Sequence, residues 1–192
     1  MFAPVHPATT RLLYFSRPQE VIRVATVSAM LDEFNRRSAA EAETELLACC
    51  AVPGWARAVA AGRPYPDVAA VVAAADAALR RLDWPEVAGA LGAHPRIGER
   101  PTGTGRESAW SRREQSGLDG ADRDTRAALA RVNREYEQRF GHLFLVFADG
   151  RTDAELLAAA RRRLGNDPGT ERAVVRDELR QIALLRLRRL LS

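Results

Sequence analysis

A histidine, a carboxylate, an amide and a hydroxyl occur within one short stretch, Ala93 to Gly117. Such groups can move and hold protons on a small polar molecule. His94 precedes Pro95, which biases it towards extended backbone and away from a helix interior. The run Pro101-Thr-Gly-Thr-Gly105 is loop chemistry. Glu107 to Gln115 then suits about two helical turns, with Gly117 placed to end them. On that helix Ser111, Glu114 and Gln115 stand at i, i+3 and i+4 and share one face. Loop and helix can therefore bring His94 and Glu114 together across the intervening chain, and the remaining elements must position that meeting.

The chain of 192 residues is long enough for one domain with a buried core. Its composition, 46% apolar and 28% charged, is that of an ordinary globular protein. All 29 basic residues are arginine, and the absence of lysine excludes a pyridoxal Schiff base and a phosphate-loop lysine. Most arginines alternate with acids, so the net charge of +4 does not form a nucleic-acid stripe. Cys49 and Cys50 are adjacent and read as small side chains packed inside rather than a disulfide framework, which fits a reducing compartment. The histidines His6, His94 and His142 lack metal-ligand spacing. The expectation is a cytoplasmic protein without metal or cofactor, and no apolar run reaches the roughly twenty residues of a membrane span.

Taken in order, residues 1–26 carry three prolines and no periodicity, which predicts an N-terminal extension and makes it a candidate for disorder. The domain is expected over 27–192. Met30, Leu31 and Phe34 mark a short helix. Ser38 with Glu41 forms a capping box for a helix over 39–50. Pro53-Gly54 breaks that helix, and 55–61 add one or two turns. After the Gly62–Pro66 loop, Asp67 caps a helix over 68–82. Trp84-Pro85 turns the chain into a short helix that delivers it to His94. Residues 122–140 predict a long helix ended by Gly141. The run His142 to Ala148 (HLFLVFA) has no second strand-like run to pair with, so it reads as a buried, irregular or extended connector. Thr152 with Glu155 caps a helix to Leu164, and a last, longest helix spans about 170–191. The fold class is all-α, a single-domain bundle of seven to nine helices.

One residue of the last helix departs from its surroundings. Val175, Leu179, Ile182 and Leu190 project within about 80° of one another at 100° per residue, and Arg186 lies in the middle of that apolar stripe. Arg180 and Arg188 point elsewhere, as solvated arginines do. A guanidinium on an apolar face either snorkels outward or offers a planar, permanent charge to an anion in a pocket.

Six segments together resemble the OHCU decarboxylase family. They are CCAVPGWARAVAAGRPY at 49–65, AHPRIGE at 93–99, SRREQSG at 111–117, NREYEQRFGHLFLVFADGR at 133–151, RLGND at 163–167 and ELRQIALLRLRRLL at 178–191. The resemblance implies an all-α, cofactor-free, typically homodimeric enzyme. It implies decarboxylation of 2-oxo-4-hydroxy-4-carboxy-5-ureidoimidazoline (OHCU) to (S)-allantoin in urate degradation. By the same resemblance the proton-donating histidine falls on His94, with Glu114 its catalytic companion. Substrate contacts fall on Pro95, on Ser111, Arg112, Arg113, Glu114 and Gln115, on the backbone of Phe144, Leu145, Val146, Phe147 and Ala148, and on Arg186. His142 stands where many members have an aromatic residue and is expected at the pocket edge. The competing readings are a non-catalytic helical binding module and another hydrolase of ureide metabolism. If the cofactor-free reading holds, protein dialysed against a strong chelator keeps full turnover; activity lost and restored only by added metal overturns it.

Overall fold

The computed structural model describes residues 29–99 and 103–192; the extension expected over 1–26 lies outside them. Among the described residues the chain is all-α. Residues 29–36 form α1, followed by α2 (Ala39–Cys49), α3 (Pro53–Ala61), α4 (Val68–Leu79), α5 (Trp84–Leu91) and α6 (Arg106–Glu114). A 3-10 turn (Ser116–Leu118) leads to α7 (Arg123–Phe140), α8 (Asp153–Arg163) and α9 (Pro168–Leu190). No helix among the described residues is long and apolar enough to cross a membrane.

The helix starts follow their capping chemistry. Ser38 and Thr152 each accept from the third residue of their helix, whose glutamate accepts the cap's own backbone N–H in return. A third such box, Asp83 with Glu86, opens α5, so Trp84-Pro85 begins a helix instead of turning the chain. Pro53 likewise starts α3, its missing N–H being one that a first turn leaves unpaired anyway. Asp167 and Pro168 start α9 two residues earlier than periodicity predicts. At the other end of α7, Gly141 adopts the left-handed conformation (φ 74°) that a side chain disfavours. Helix α4 stops at Leu79, and Leu82, expected within it, is buried in the turn that follows.

The apolar side chains gather into two clusters. The larger packs α1 to α5 around α9 and includes Phe34, Leu46, Trp55, Val71, Leu79, Val87, Leu179 and Leu187. The smaller joins α7 and α8 through Leu129, Val132, Tyr136, Leu156 and Ala160, with Ile97 and Leu118. Residues 143–148 run between the two without regular structure. Leu143, Leu145 and Phe147 face the larger cluster, whereas Phe144, Val146 and Ala148 face the smaller. That alternation is the period-2 signature of an extended chain, so the connector divides its side chains between two cores.

An extended segment with no partner strand leaves its backbone groups to be satisfied by something else. Here charged side chains do so. The Arg163 guanidinium donates through Nη1 to the Leu145 carbonyl (2.7 Å), and the Glu178 carboxylate accepts the Phe147 N–H (2.8 Å). Arg163 also donates through Nε (2.8 Å) and Nη2 (2.6 Å) to Glu171, which accepts from the Tyr136 hydroxyl and from Asn166 Nδ2 (2.7 Å). The guanidinium lies over the Phe144 ring, 4.6 Å from its centroid. Arg163, Glu171 and Glu178 are all buried. Removing one partner of such a network strands buried charge and costs about 3–5 kcal/mol. Arg163→Met is therefore expected to lower the free energy of unfolding by about that amount, measured by urea titration. Arg188→Ala, on the exposed side of α9, should stay within about 0.5 kcal/mol of the parent.

Candidate active site

The pocket lies where the two clusters meet. Its walls are the turn after α5, the C-terminal end of α6, the connector and the middle of α9. It is lined by His94 and Pro95, Ile97, Ser111, Glu114 and Gln115, Phe144, Leu145, Val146 and Ala148, and Ile182 and Arg186. Ten of the residues anticipated for a site thus come together although they derive from four separate parts of the chain. The space within it is small, about 30 Å³, room for one or two water molecules.

Helix α6 turns Ser111 and Glu114 to the same buried face, and Arg186 reaches both from α9. Its Nε donates to Glu114 Oε1 (3.0 Å), and its Nη2 donates to Glu114 Oε2 (2.8 Å) and to Ser111 Oγ (2.9 Å). This is the paired fork of guanidinium and carboxylate. All three side chains are more than nine-tenths buried, with Arg186 at 3% exposure, so the snorkelling alternative is excluded. Arg186 Nη1 makes no hydrogen bond to a described residue and is left to the pocket. A second arginine, Arg189, one turn further along α9, donates to Glu114 Oε1 (3.1 Å) and to Asp149 Oδ1 (2.6 Å).

Gln115 caps α6 and holds the histidine loop. Its carbonyl oxygen accepts from the Gly98 N–H (2.9 Å), and its amide nitrogen donates to the Arg96 carbonyl (3.4 Å). From the other side Asn133 of α7 donates to the Ile97 carbonyl (2.9 Å), and Arg96 pairs with Glu137. Gly117 was expected only to end a helix. In the structure a side chain there would collide with the backbone carbonyl of Arg151, so close packing of two turns also requires glycine.

His94 is half-buried in the pocket wall. Burial, and then the positive charge of Arg186, push its pKa down to about 3. The imidazole is therefore neutral at physiological pH. Cys49 and Cys50 lie in the core as free thiols, pushed up to about 12 by burial, and are not nucleophiles at neutral pH.

The other anticipated contacts fall elsewhere. Arg112 is exposed, donates to the Gly103 carbonyl (3.1 Å) and lines a neighbouring cleft of about 290 Å³ together with Gly98, Glu99 and Gln115. Arg113 is exposed on the opposite side of α6. Phe147 turns its ring to the larger cluster, away from the pocket lining. His142, expected at the pocket edge, packs instead among the rings of Trp84, Tyr136 and Phe140. Arg180 bridges to Asp76 on α4 and is not a solvated arginine. Ile97, Ile182, Arg189 and Asp149 were not anticipated. For Arg189 a signal existed, because it lies about 60° from Arg186 on the same apolar side of α9.

A helical fold that encloses a neutral histidine and a carboxylate bound by two arginines is suited to acid–base chemistry on a small anion. The chain belongs to the OHCU decarboxylase family: the model of that family, described as OHCU decarboxylase, matches residues 35–188. A relative from Amia calva named 2-oxo-4-hydroxy-4-carboxy-5-ureidoimidazoline decarboxylase is 33% identical over 137 residues, 70% of this chain and 78% of the relative. The uric acid degradation bifunctional protein TTL of Arabidopsis thaliana is 32% identical over 157 residues, 78% of this chain. The chain spans 47% of that longer protein. A crystal structure of OHCU decarboxylase in the presence of (S)-allantoin superposes with a TM-score of 0.67 at 26% identity, covering 77% of this chain and 97% of its own.

The depressed pKa of His94 has a consequence for stability. Below the ordinary histidine range the unfolded chain binds a proton that the folded protein does not, so stability falls as pH drops from about 6.5 towards 3. Between pH 7 and pH 5, above the carboxylate range, the parent should lose more stability than His94→Asn, read from urea midpoints at both pH values. Equal losses would show that His94 is not held neutral.

Proposed function

We propose that this protein decarboxylates OHCU to (S)-allantoin in urate degradation. The observation that carries the proposal is the meeting of His94, Glu114 and Arg186 at one pocket in a chain of this family. The substrate has a carboxylate and a hydroxyl on one ring carbon, beside a C=N bond. As the bond to the carboxylate breaks, its electron pair forms a ring C=C bond and the C=N pair moves onto nitrogen. The ring itself is the electron sink, so no cofactor is needed. Nitrogen and the neighbouring carbon each take a proton, one from the hydroxyl and one from solvent, while the hydroxyl carbon becomes a carbonyl. Delivery of the carbon's proton to one face sets the (S) configuration.

Neutral His94 has an unprotonated ring nitrogen to take the hydroxyl proton and pass it on, which an imidazolium lacks. Arg186, with Nη1 turned to the pocket, holds the carboxylate end of the substrate with Ser111 beside it. Glu114 accepts ureido N–H groups, and the Gln115 amide and the backbone of 144–148 complete the polar contacts. Arg112 flanks the approach from the neighbouring cleft. Residues 27–192 act as the catalytic domain, the working form is a homodimer, and the compartment is the cytoplasm. The partner is a small molecule, with no nucleic acid.

Freshly generated substrate followed by ultraviolet absorbance tests this reading, and the parent should accelerate its loss with (S)-allantoin as product. His94→Asn should reduce kcat about a hundred- to ten-thousand-fold with little change in KM, as loss of a proton-transfer group does. Arg186→Ala should raise KM strongly, and Arg186→Lys should recover only part, because a point charge does not replace a planar fork. A folded His94→Asn enzyme with normal kcat would remove His94 from the mechanism. A parent without turnover would leave the binding-module reading.

A further inference from the structure

The space of about 30 Å³ in the pocket is far below the few hundred Å³ of an ordinary ligand pocket. Two of the three donor nitrogens of Arg186 are already committed to Glu114 and Ser111. A substrate carboxylate held by Nη1 alone leaves these bonds intact, whereas one that takes the paired fork of Nε and Nη2 parts Arg186 from Glu114. On its own, that step would leave a buried carboxylate without a partner, which is expensive.

The structure carries a second holder for this carboxylate. Arg189 Nη1 donates to the same Oε1 that Arg186 Nε uses. Its Nη2 is fixed by Asp149 at 2.6 Å. Asp149 directly follows Ala148, the last pocket-lining residue of the connector, and precedes Gly150, whose φ of 78° ends that segment in a turn. The pair Arg189–Asp149 thus ties the end of the connector, through α9, to Glu114 on α6. Arg186, Arg189, Glu114 and Asp149 also sum to zero formal charge, so the cluster is balanced before any anion arrives.

We propose that Arg189 is a positioning residue. It retains Glu114, and with it the wall formed by α6, while Arg186 turns from Glu114 to the substrate carboxylate. Its contact with substrate is indirect, through Glu114. The exchange step rests on the decarboxylase reading, whereas the tether between α6 and the connector does not.

The two parts are tested separately. In the ligand-free protein, Arg189→Ala should accelerate amide hydrogen exchange within 106–114 relative to α7 and α8, with the fold confirmed by circular dichroism. Unchanged exchange in 106–114 overturns the tether whatever the turnover. In steady-state kinetics, Arg189→Ala should raise KM about tenfold with kcat within about threefold, because the loss falls on the binding step. Arg189→Lys should recover part of this, since an ammonium keeps the charge without spanning both carboxylates.

Asp149→Asn separates positioning from simple attraction. It removes a negative charge near an anionic substrate, which by long-range attraction alone would lower KM. If Asp149 holds Arg189 in place, KM rises instead. A lower or unchanged KM in Asp149→Asn overturns the positioning role. A parent protein inactive on OHCU refutes the decarboxylase reading and with it the exchange step, and hydrogen exchange still decides the tether.

Discussion

The interaction on which the rest of this structure depends is the hold of Arg163 and Glu178 on the backbone of residues 145 and 147. An extended segment inside an all-α protein has no neighbouring strand, and unpaired buried amides and carbonyls are costly. The guanidinium and carboxylate take the place of a partner strand along one edge of the connector. With that edge occupied, Phe144, Val146 and Ala148 are turned towards α7, α8 and the pocket, while Leu145 closes the larger core. The charges are tolerable because each is answered: Arg163 by Glu171 and Glu178, and Glu171 in turn by Tyr136 and Asn166.

The pocket repeats this device with a different outcome. Around Arg163 the acceptors use up the guanidinium, and the network has only a structural part. Around Arg186 the carboxylate is shared with Arg189, and one nitrogen remains turned to the pocket. A shared carboxylate is easier to part from one of its two donors than a carboxylate with a single partner. Burial, and then the same positive charge, keep His94 neutral, so the cation that faces the pocket also acts on the protonation state of the histidine in its wall.

Both arginines belong to one kind of sequence signal. Arg186 stands within the apolar stripe of α9. Arg163 falls at i+7 from Leu156, with Ala159 and Ala160 between them at i+3 and i+4, all buried. Glu171 and Glu178 flank the start of the α9 stripe in the same way, at i−4 and i+3 from Val175. A charge on an apolar face announces burial, but its partner lies elsewhere in the chain and leaves no local pattern. That is why Arg186 was legible as a pocket residue while its pairing with Glu114 was not. For Asp149, in a turn without periodicity, there was no signal at all.

The sequence by itself determined the local structure: the capping boxes at Ser38 and Thr152, the cap at Asp67, the glycine stop at 141, and an apolar run that could not be a strand without a mate. These are interactions within about four residues, and their chemistry can be read from spacing. The motifs also placed His94, Glu114 and Arg186 in one site by resemblance. Only the tertiary structure decided that Arg112, Arg113 and Phe147 lie outside the pocket lining, that His142 joins an aromatic cluster, and that Glu114 is held by two arginines rather than one. Direction around a short helix, and the shielding that turns a surface ion pair into a buried one, are set by packing between elements far apart in the chain.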